Sequence, residues 1–135
     1  MLSLILWNSR GLASPAKDAF MASDFKKYNV SLVAILEPKQ DSIKIASFAM
    51  KMGFGYSKKA YPENKHIWIC WKTDVQVEVV HSWDQCITVK ILKKGSVLLF
   101  SFIYANSDVQ GRQYLWDYLA SFDLDFHGWL VSIST

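Results

Sequence analysis

The sequence predicts an α/β fold of the α+β kind, in which helices flank mixed β-sheets. Two strand-like segments alternate with two helix-like segments up to Gly53, an order that covers a sheet with helices. Five strand-like segments then follow, and a helix and a final strand come last. Aromatic residues make up 15% of the chain, and their preference for strands indicates a sheet-rich core. We expect the early helices on one sheet face and the later strands pairing or stacking elsewhere.

The first strand and helix are predicted at residues 2–7 and about 15–28. Ser14 is suited to cap this helix because its hydroxyl accepts from the first free N–H groups, and Pro15 fits the first helical position. Five residues at helical spacing fall on one face of this helix: Ala16, Ala19, Phe20, Ser23 and Lys27. We therefore expect Phe20 and its neighbours to face a sheet.

The second strand is predicted at residues 31–36, a buried apolar run that cannot extend past Pro38. A second helix is predicted at residues 42–52, and Gly53 favours its termination. Its apolar face is expected to consist of Ile43, Ile45, Ala46, Phe48 and Ala49.

The remaining strands are predicted at residues 54–60, 66–72, 75–80, 86–92 and 97–104. A hairpin turn is expected at residues 93–95, where two lysines precede a glycine. Residues 67–71 and 97–103 are nearly continuous apolar runs, which is typical of strands covered on both faces. A third helix at residues 111–122 and a strand at 129–131 complete the pattern.

Composition narrows the possible classes of protein. With 51% hydrophobic and 20% charged residues, the chain is able to form a packed core and is unlike a disordered segment. A net charge of +3, spread over scattered lysines, permits a phosphate-bearing partner but does not indicate one. Cys70 and Cys86 lack zinc-ligand spacing, so we expect small core residues in a reducing, intracellular compartment. No apolar run approaches the length of a membrane span.

Polar side chains follow the carboxyl ends of three apolar strands, in the clusters Asn8-Arg10-Gly11, Glu37-Lys39 and Tyr104-Asn106, the last followed by Arg112. Parallel strands bring such ends to one rim of a sheet. A carboxylate that holds Mg²⁺, amides that orient a phosphate and a phenol that donates to it would suit phosphodiester hydrolysis. Each residue also has a simpler interpretation, because Glu37 fits a solvated loop, Asn8 a turn and Tyr104 a half-buried strand. One carboxylate holds Mg²⁺ poorly, and the residues alone reveal no general base.

Several motifs resemble one family in order and spacing. Residues 7–12, Trp-Asn-Ser-Arg-Gly-Leu, resemble the opening W-N-x-R-G-L of the endonuclease domain of plant LINE-type retrotransposons. Residues 35–39 resemble its E-x-K segment, residues 66–71 a mid-domain strand, and residues 102–116 its F-V-Y-x-x-N…R-x-x-L-W block. That domain belongs to the endonuclease/exonuclease/phosphatase, or DNase I-like, superfamily. The resemblance implies a four-layer α/β sandwich, Mg²⁺ or Mn²⁺ as cofactor and DNA as partner.

The resemblance also implies a role for individual residues. Glu37 would be the metal ligand, and Asn8 would lie beside the metal and the phosphate. Tyr104 would be the active-site tyrosine, with Asn106 as a polar neighbour of the scissile phosphate. Lys39 matches the lysine two positions after the metal glutamate. The resemblance of the later block further assigns Arg112 to contact with the nucleic acid.

Departures from the family pattern predict an incomplete site. Arg10 stands where abasic endonucleases carry an acidic residue, and Pro38 replaces a small polar residue, which we expect to affect the strand end. Residues 129–131 should lead into G-D-F-N, yet Ser132 and Ile133 follow, and the S-D-H motif is absent. We therefore expect residues 1–135 to be the N-terminal part of one domain, and an inactive copy. The alternative is a catalytically dead α/β binding or interaction module.

A shortened sandwich has a physical consequence. Loss of part of two packed sheets would expose an apolar sheet face, which favours self-association.

Overall fold

Eight strands and three helices occupy the described part of the chain, residues 2–12, 14–59, 66–83, 85–93, 95–105, 109–120 and 127–133 of the computed structural model. The elements are β1 (Leu4–Asn8), α1 (Pro15–Lys27), β2 (Leu32–Leu36), α2 (Ile45–Lys51), β3 (Tyr56–Lys59), β4 (Ile67–Trp71), β5 (Gln76–Trp83), β6 (Cys86–Lys93), β7 (Ser96–Ala105), α3 (Val109–Ala120) and β8 (His127–Ile133). A short 3-10 turn, Ser42–Lys44, leads into α2. Each predicted strand and helix is confirmed, with ends that differ by a few residues.

The strands form two mixed sheets. In the first sheet the order is β1-β2-β4-β3, with β1 parallel to β2 and the other neighbours antiparallel. In the second sheet the order is β5-β6-β7-β8, with β8 parallel to β7. Each parallel pair is joined through a helix, because a parallel crossover needs more chain than a hairpin provides. The predicted α+β class with mixed sheets is confirmed.

The turn between β6 and β7 is a two-residue hairpin loop. Lys93 lies opposite Ser96 in the register, so only two residues connect the strands. Gly95 has a φ of 81°, which a residue without a Cβ adopts at little cost. The register and Gly95 therefore confirm the predicted hairpin between the two strands, although Lys94 itself lies outside the described residues.

The two sheets pack against each other through one apolar cluster. The first sheet contributes the alternate β2 residues Leu32, Ala34 and Leu36, with Ile67 and Ile69 of β4. The second sheet contributes Ile87, Val89 and Ile91 of β6, with Phe102 and Tyr104 of β7. The other β2 residues, Val33 and Ile35, pack on the opposite side. Residues 67–70 are accordingly buried on both faces, as their unbroken apolar run predicts.

Helices α1 and α2 cover the outer face of the first sheet. Phe25 meets Trp7 and Phe54 edge to face, with ring centroids 6.0 and 5.7 Å apart, and Phe48 lies 5.9 Å from Trp68. Such arrangements suit the ring quadrupoles and add to the area buried. The outer face of the second sheet carries a smaller cluster in which Leu115 of α3 packs with Cys86, Ile103 and Ala105.

The predicted inward faces of the first two helices are partly wrong. Phe20 is 68% exposed and Ile43 is 82% exposed. The face of α1 that meets the sheet instead carries Asp18, Met21, Ala22 and Phe25. The helical period of 3.6 residues is compatible with either face of α1 packing on the sheet. The face that does so includes the carboxylate of Asp18, so the sequence favours the other face. In α2 the helix begins only at Ile45, so Ile43 lies in the preceding turn.

A hydroxyl network lies beneath α3. Thr88 Oγ1 is 2.8 Å from Ser101 Oγ and 3.0 Å from the Tyr118 hydroxyl. Burial raises the pKa of Tyr118 to about 12, the hydrogen bond with Thr88 opposes that rise, and the nearby Cys86 adds to it.

Cys70 and Cys86 are both buried, and neither forms a disulfide. Burial raises the pKa of Cys70 to about 12. The cysteines are thus core residues, as predicted, and remain neutral thiols.

Replacing Asp18 with alanine is expected to stabilise the protein by about 1 kcal/mol. Asp18 is 5% exposed, and its Oδ1 has no hydrogen-bond partner among the described residues. An unsatisfied buried oxygen costs about 1–3 kcal/mol, whereas losing a negative charge from the first helical turn costs about 0.3–1 kcal/mol. Urea unfolding measures the difference. Asp24→Ala on the same helix is the control and should change stability by less than about 0.5 kcal/mol; equal effects of the two substitutions would contradict the prediction.

None of the helices in the described ranges is long and apolar enough to cross a membrane.

The facing surfaces of the two sheets cover each other, since Ile87 and Phe102 are both fully buried. Self-association through an exposed sheet stays a prediction.

Candidate active site

The loops that follow β1 and β2 are fastened to each other by hydrogen bonds. Because the two strands are parallel, with Asn8 opposite Leu36, both loops leave the sheet at the same edge. The backbone N–H of Ser9 donates to the Leu36 carbonyl at 3.0 Å, and that of Leu12 donates to the Pro38 carbonyl at 2.9 Å. The two loops therefore hold a fixed position relative to each other.

Ser9 is the buried centre of this connection. Its hydroxyl oxygen lies 2.9 Å from the Leu36 carbonyl and 3.0 Å from the Glu37 carbonyl, and it accepts the Gly11 N–H at 3.3 Å. Lys17, on the first turns of α1, donates its ammonium group to the carbonyls of Ser9 and Gly11. A buried hydroxyl with these partners is costly to remove, because its partners lose a bond that water cannot replace.

The same loops contain three non-glycine residues with left-handed backbone. The φ angles are 52° at Arg10, 51° at Glu37 and 53° at Lys39. Such residues cost of order 1–3 kcal/mol each, and they persist where surrounding contacts enforce them. β2 ends at Leu36 as predicted, and Pro38 does not keep Glu37 in the extended region that a following proline favours.

Glu37 of the first sheet meets Tyr104 of the second. The Tyr104 hydroxyl donates to Glu37 Oε1 at 2.5 Å, and Tyr104 is 7% exposed. A short bond to a carboxylate is stronger than one between neutral groups. The pairing crosses the space between the sheets, because Tyr104 belongs to the inter-sheet cluster. Two residues from separate predicted clusters therefore lie in direct contact.

His66 is a third member of this arrangement. Its backbone carbonyl accepts the Glu37 N–H at 2.9 Å, and its ring stacks on Tyr104 with centroids 5.3 Å apart and planes 24° from parallel. The imidazole is exposed, so it borders the Glu37–Tyr104 pair on the solvent side. The sequence indicates only that His66 begins a strand, because one histidine before an apolar run has no recognisable pattern. Ser9 was likewise missed, since it occupies the unspecified position of W-N-x-R-G-L.

The other predicted site residues are less closely gathered. Asn8 Oδ1 accepts the Arg10 N–H at 3.3 Å, which is the turn interaction that its simpler interpretation predicts. Lys39 is exposed, and its stem lies over Gly11, whose φ of 110° suits glycine. Arg112 is half-buried in the first turn of α3. Asn106 lies outside the described residues.

The electrostatics of the site rest on one carboxylate. No group of three or more His, Cys, Asp or Glu side chains able to hold a metal ion occurs among the described residues. Glu37 offers a hard oxygen donor of the kind that Mg²⁺ takes, and the Tyr104 hydroxyl donates to it. The described groups at this place are thus one carboxylate, one phenol and one imidazole.

Solved structures with the same architecture identify the fold. The chain matches TDP2 of D. rerio, solved with a single-strand DNA product, with a TM-score of 0.68 at 12% identity. It matches an AP endonuclease from Archaeoglobus fulgidus with a TM-score of 0.63 at 17% identity. It also matches the endonuclease domain of TRAS1, a telomere-specific non-LTR retrotransposon, with a TM-score of 0.61 at 12% identity. This chain shares the fold of the matching part of these structures.

These matches cover nearly all of this chain and little more than half of each DNase I-like neighbour. They span 98%, 97% and 89% of this chain, and 59%, 56% and 52% of TDP2, the AP endonuclease and the TRAS1 domain, respectively. No protein-family model and no curated protein matches the sequence. At sequence identities of 12% to 17%, the similarity to these structures is evidence for a shared fold alone.

Proposed function

We propose that the chain carries the metal- and phosphate-binding part of a Mg²⁺-dependent phosphodiesterase of endonuclease type that acts on DNA. The observation that carries the proposal is the 2.5 Å hydrogen bond from Tyr104 to Glu37, which joins the two sheets at the edge where the β1 and β2 loops emerge. Sequence motifs and fold both support it, since the neighbours named above include endonucleases.

Glu37 is the residue that would hold Mg²⁺ or Mn²⁺. Mg²⁺ commonly binds one or two carboxylates and completes its six oxygen ligands with water and substrate phosphate, so a single glutamate is a sufficient protein anchor for weak binding. The bond from Tyr104 fixes Oε1 and leaves Oε2 for the ion. When bound, the metal would neutralise charge on the phosphate and polarise its oxygens.

The remaining residues have roles in binding the substrate. The Tyr104 hydroxyl donates to Glu37, and we propose that it donates to a phosphoryl oxygen when the substrate is bound. Asn8, Lys39, Arg112 and Asn106 are proposed to contact the phosphate or the flanking nucleic acid. Cationic groups supply the sequence-independent part of such affinity, so DNA binding should weaken as salt is raised.

Turnover by these residues alone is expected to be very slow. The sequence after Val131 continues with Ser132 and Ile133, not with the aspartate and asparagine of the G-D-F-N motif. Catalytic groups act as a unit, so loss of the group that activates water costs several orders of magnitude in rate. We therefore propose that the chain binds metal and DNA with little or no cleavage of the DNA.

The second candidate function is a catalytically dead α/β binding module that uses no metal. It is favoured because the described residues contain no cluster of three metal-ligand side chains.

We also propose the four-layer arrangement and a relationship to plant LINE-type endonuclease domains. The separate apolar clusters of α1 and α2, of the two sheets, and of α3 support the layers. The TRAS1 match and the W-N-x-R-G-L segment support the relationship.

Calorimetric titration with Mg²⁺ and Mn²⁺ tests the proposal, in parallel with fluorescence anisotropy of a short abasic duplex. We expect saturable metal binding, tighter DNA binding with the metal, and a loss of about tenfold or more in metal affinity in Glu37→Gln. Glu78→Gln is the matched control, because Glu78 is an exposed glutamate on β5. DNA binding without metal binding would favour the second candidate. Mg²⁺-dependent cleavage that Glu37→Gln abolishes would overturn the expectation of slow turnover.

A further inference from the structure

A second cavity lies at the other end of the first sheet from Glu37. It has a volume of about 370 Å³ and is enclosed by the C-terminal ends of α1 and α2 together with the chain that enters β2 and leaves β4. Glu37 follows β2, whereas Val30 precedes it, so the five residues of β2, about 16 Å of strand, separate the two places. The cavity is therefore not part of the Glu37–Tyr104 site.

Both helices that border the cavity end in the same capping motif. At the end of α1, Val30 N–H donates to the Phe25 carbonyl and Asn29 N–H to the Lys26 carbonyl, with Asn29 at a φ of 50°. At the end of α2, Phe54 N–H donates to the Ala49 carbonyl and Gly53 N–H to the Met50 carbonyl, with Gly53 at a φ of 92°. These pairs form Schellman caps. The carbonyls that they satisfy do not need lysine side chains as partners.

Three lysines line the cavity, and no carboxylate does so among the described residues. Lys26 and Lys51 are exposed, and neither ammonium group has a hydrogen bond or ion pair with another described residue. Lys72 is half-buried and donates to Asn29 Oδ1 at 2.5 Å, which directs its ammonium group at the cavity rim and leaves two N–H groups. An adjoining groove of about 500 Å³ shares Lys72 and contains one carboxylate, Asp74.

The net charge around the cavity is positive even when the partial negative charges of the two helix C-termini are included. Each helix C-terminus contributes about half a negative charge, so two ends offset about one of the three lysines. Lysine is a point-charge donor suited to phosphate. The apolar floor includes Ala22, Met52 and Phe54, and a volume of 370 Å³ is several times that of a phosphate group. Room therefore remains for an organic body next to the anionic group.

We propose that the cavity between the ends of α1 and α2 binds a small phosphate monoester, such as a nucleoside 5′-monophosphate, through Lys26, Lys51 and Lys72. The ester's body would rest on the apolar floor, and its phosphate would lie among the ammonium groups. The inference is independent of the proposed function, because none of these residues belongs to the Glu37–Tyr104 site.

Calorimetry of the purified chain with adenosine 5′-monophosphate, inorganic phosphate and adenosine separates the possible ligands. We expect saturable binding of the monophosphate, weaker binding of inorganic phosphate, and weakest binding of adenosine. Equal affinity for the two phosphates would assign the site to the free anion and overturn the part of the proposal that concerns the organic body. Affinity should fall about tenfold in Lys72→Gln and about threefold in Lys26→Gln or Lys51→Gln.

Lys27→Gln is the matched control, since Lys27 is the next residue of the same helix and its ammonium group lies 5.2 Å from the centre of the Tyr28 ring. It carries the same charge and does not line the cavity. The control should keep its affinity within about twofold, and circular dichroism should show each variant folded. An equal loss in Lys27→Gln would reveal non-specific attraction, and an absence of saturable binding would overturn the site. Unchanged binding in Glu37→Gln distinguishes this cavity from the proposed metal site.

Discussion

Replacing Phe102 with alanine is expected to lower the free energy of unfolding by about 3–5 kcal/mol. Phe102 is fully buried in the cluster that joins the two sheets, and it pairs with Ile87 across β6 and β7. Removing the Phe102 ring loses buried apolar area and leaves a void that the facing sheet cannot readily close. Because single domains are stable by only about 5–15 kcal/mol, this loss is a large fraction of the total stability. Urea unfolding followed by tryptophan fluorescence measures the change.

Val97→Ala on the same strand is the appropriate comparison. Val97 is 52% exposed, so the loss should stay below about 0.5 kcal/mol. A loss below about 1 kcal/mol in Phe102→Ala would mean that the sheets do not pack through this residue. It would also weaken the case for the four-layer arrangement.

The sequence predicts the strands well because their pattern is local. Apolar runs such as residues 67–71 need cover on both faces, and the structure provides a second sheet on one side and helices on the other. The two-residue hairpin follows from the lysine-glycine turn in the same way. Such features depend on a few neighbouring residues, so that sequence periodicity and turn chemistry determine them.

Helix orientation is predicted less well because it depends on the partner surface. In α1 the inward face includes the carboxylate of Asp18, and Phe20 points to solvent. The packing of Phe25 against Trp7 and Phe54 fixes this rotation, and those contacts come from distant parts of the chain. A hydrophobic pattern restricted to thirteen helical residues does not contain that information.

The contact between two of the candidate residues arises differently from the arrangement that the sequence predicts. Strand ends meet on one rim of a sheet when the strands are parallel. β1 and β2 are parallel, but β7 belongs to the other sheet, and Tyr104 reaches Glu37 through face-to-face packing. His66 joins them through its backbone and its ring, which no spacing rule indicates.

The contact between Tyr104 and Glu37 should show a coupling energy of about 1.5–3 kcal/mol in a double-mutant cycle. Tyr104→Phe and Glu37→Ala remove the donor and the acceptor of a part-buried 2.5 Å bond. A hydrogen bond to a charged group contributes about this much to stability. Urea unfolding of the two single variants and the double variant gives the coupling, because the effects of removing separate contacts cancel in the cycle.

The exposed pair Gln113–Asp117 on α3 provides the control, with an amide-to-carboxylate bond of 2.9 Å four residues apart. Its coupling should be only about 0.2–0.5 kcal/mol, because water competes for both groups. Tyr104→Phe should also weaken Mg²⁺ binding about tenfold, since groups that orient a ligand affect metal affinity nearly as much as the ligand itself. Equal coupling in the two pairs would show that Tyr104 does not hold Glu37. A large coupling without any change in metal affinity would instead separate a purely structural contact from the proposed metal site.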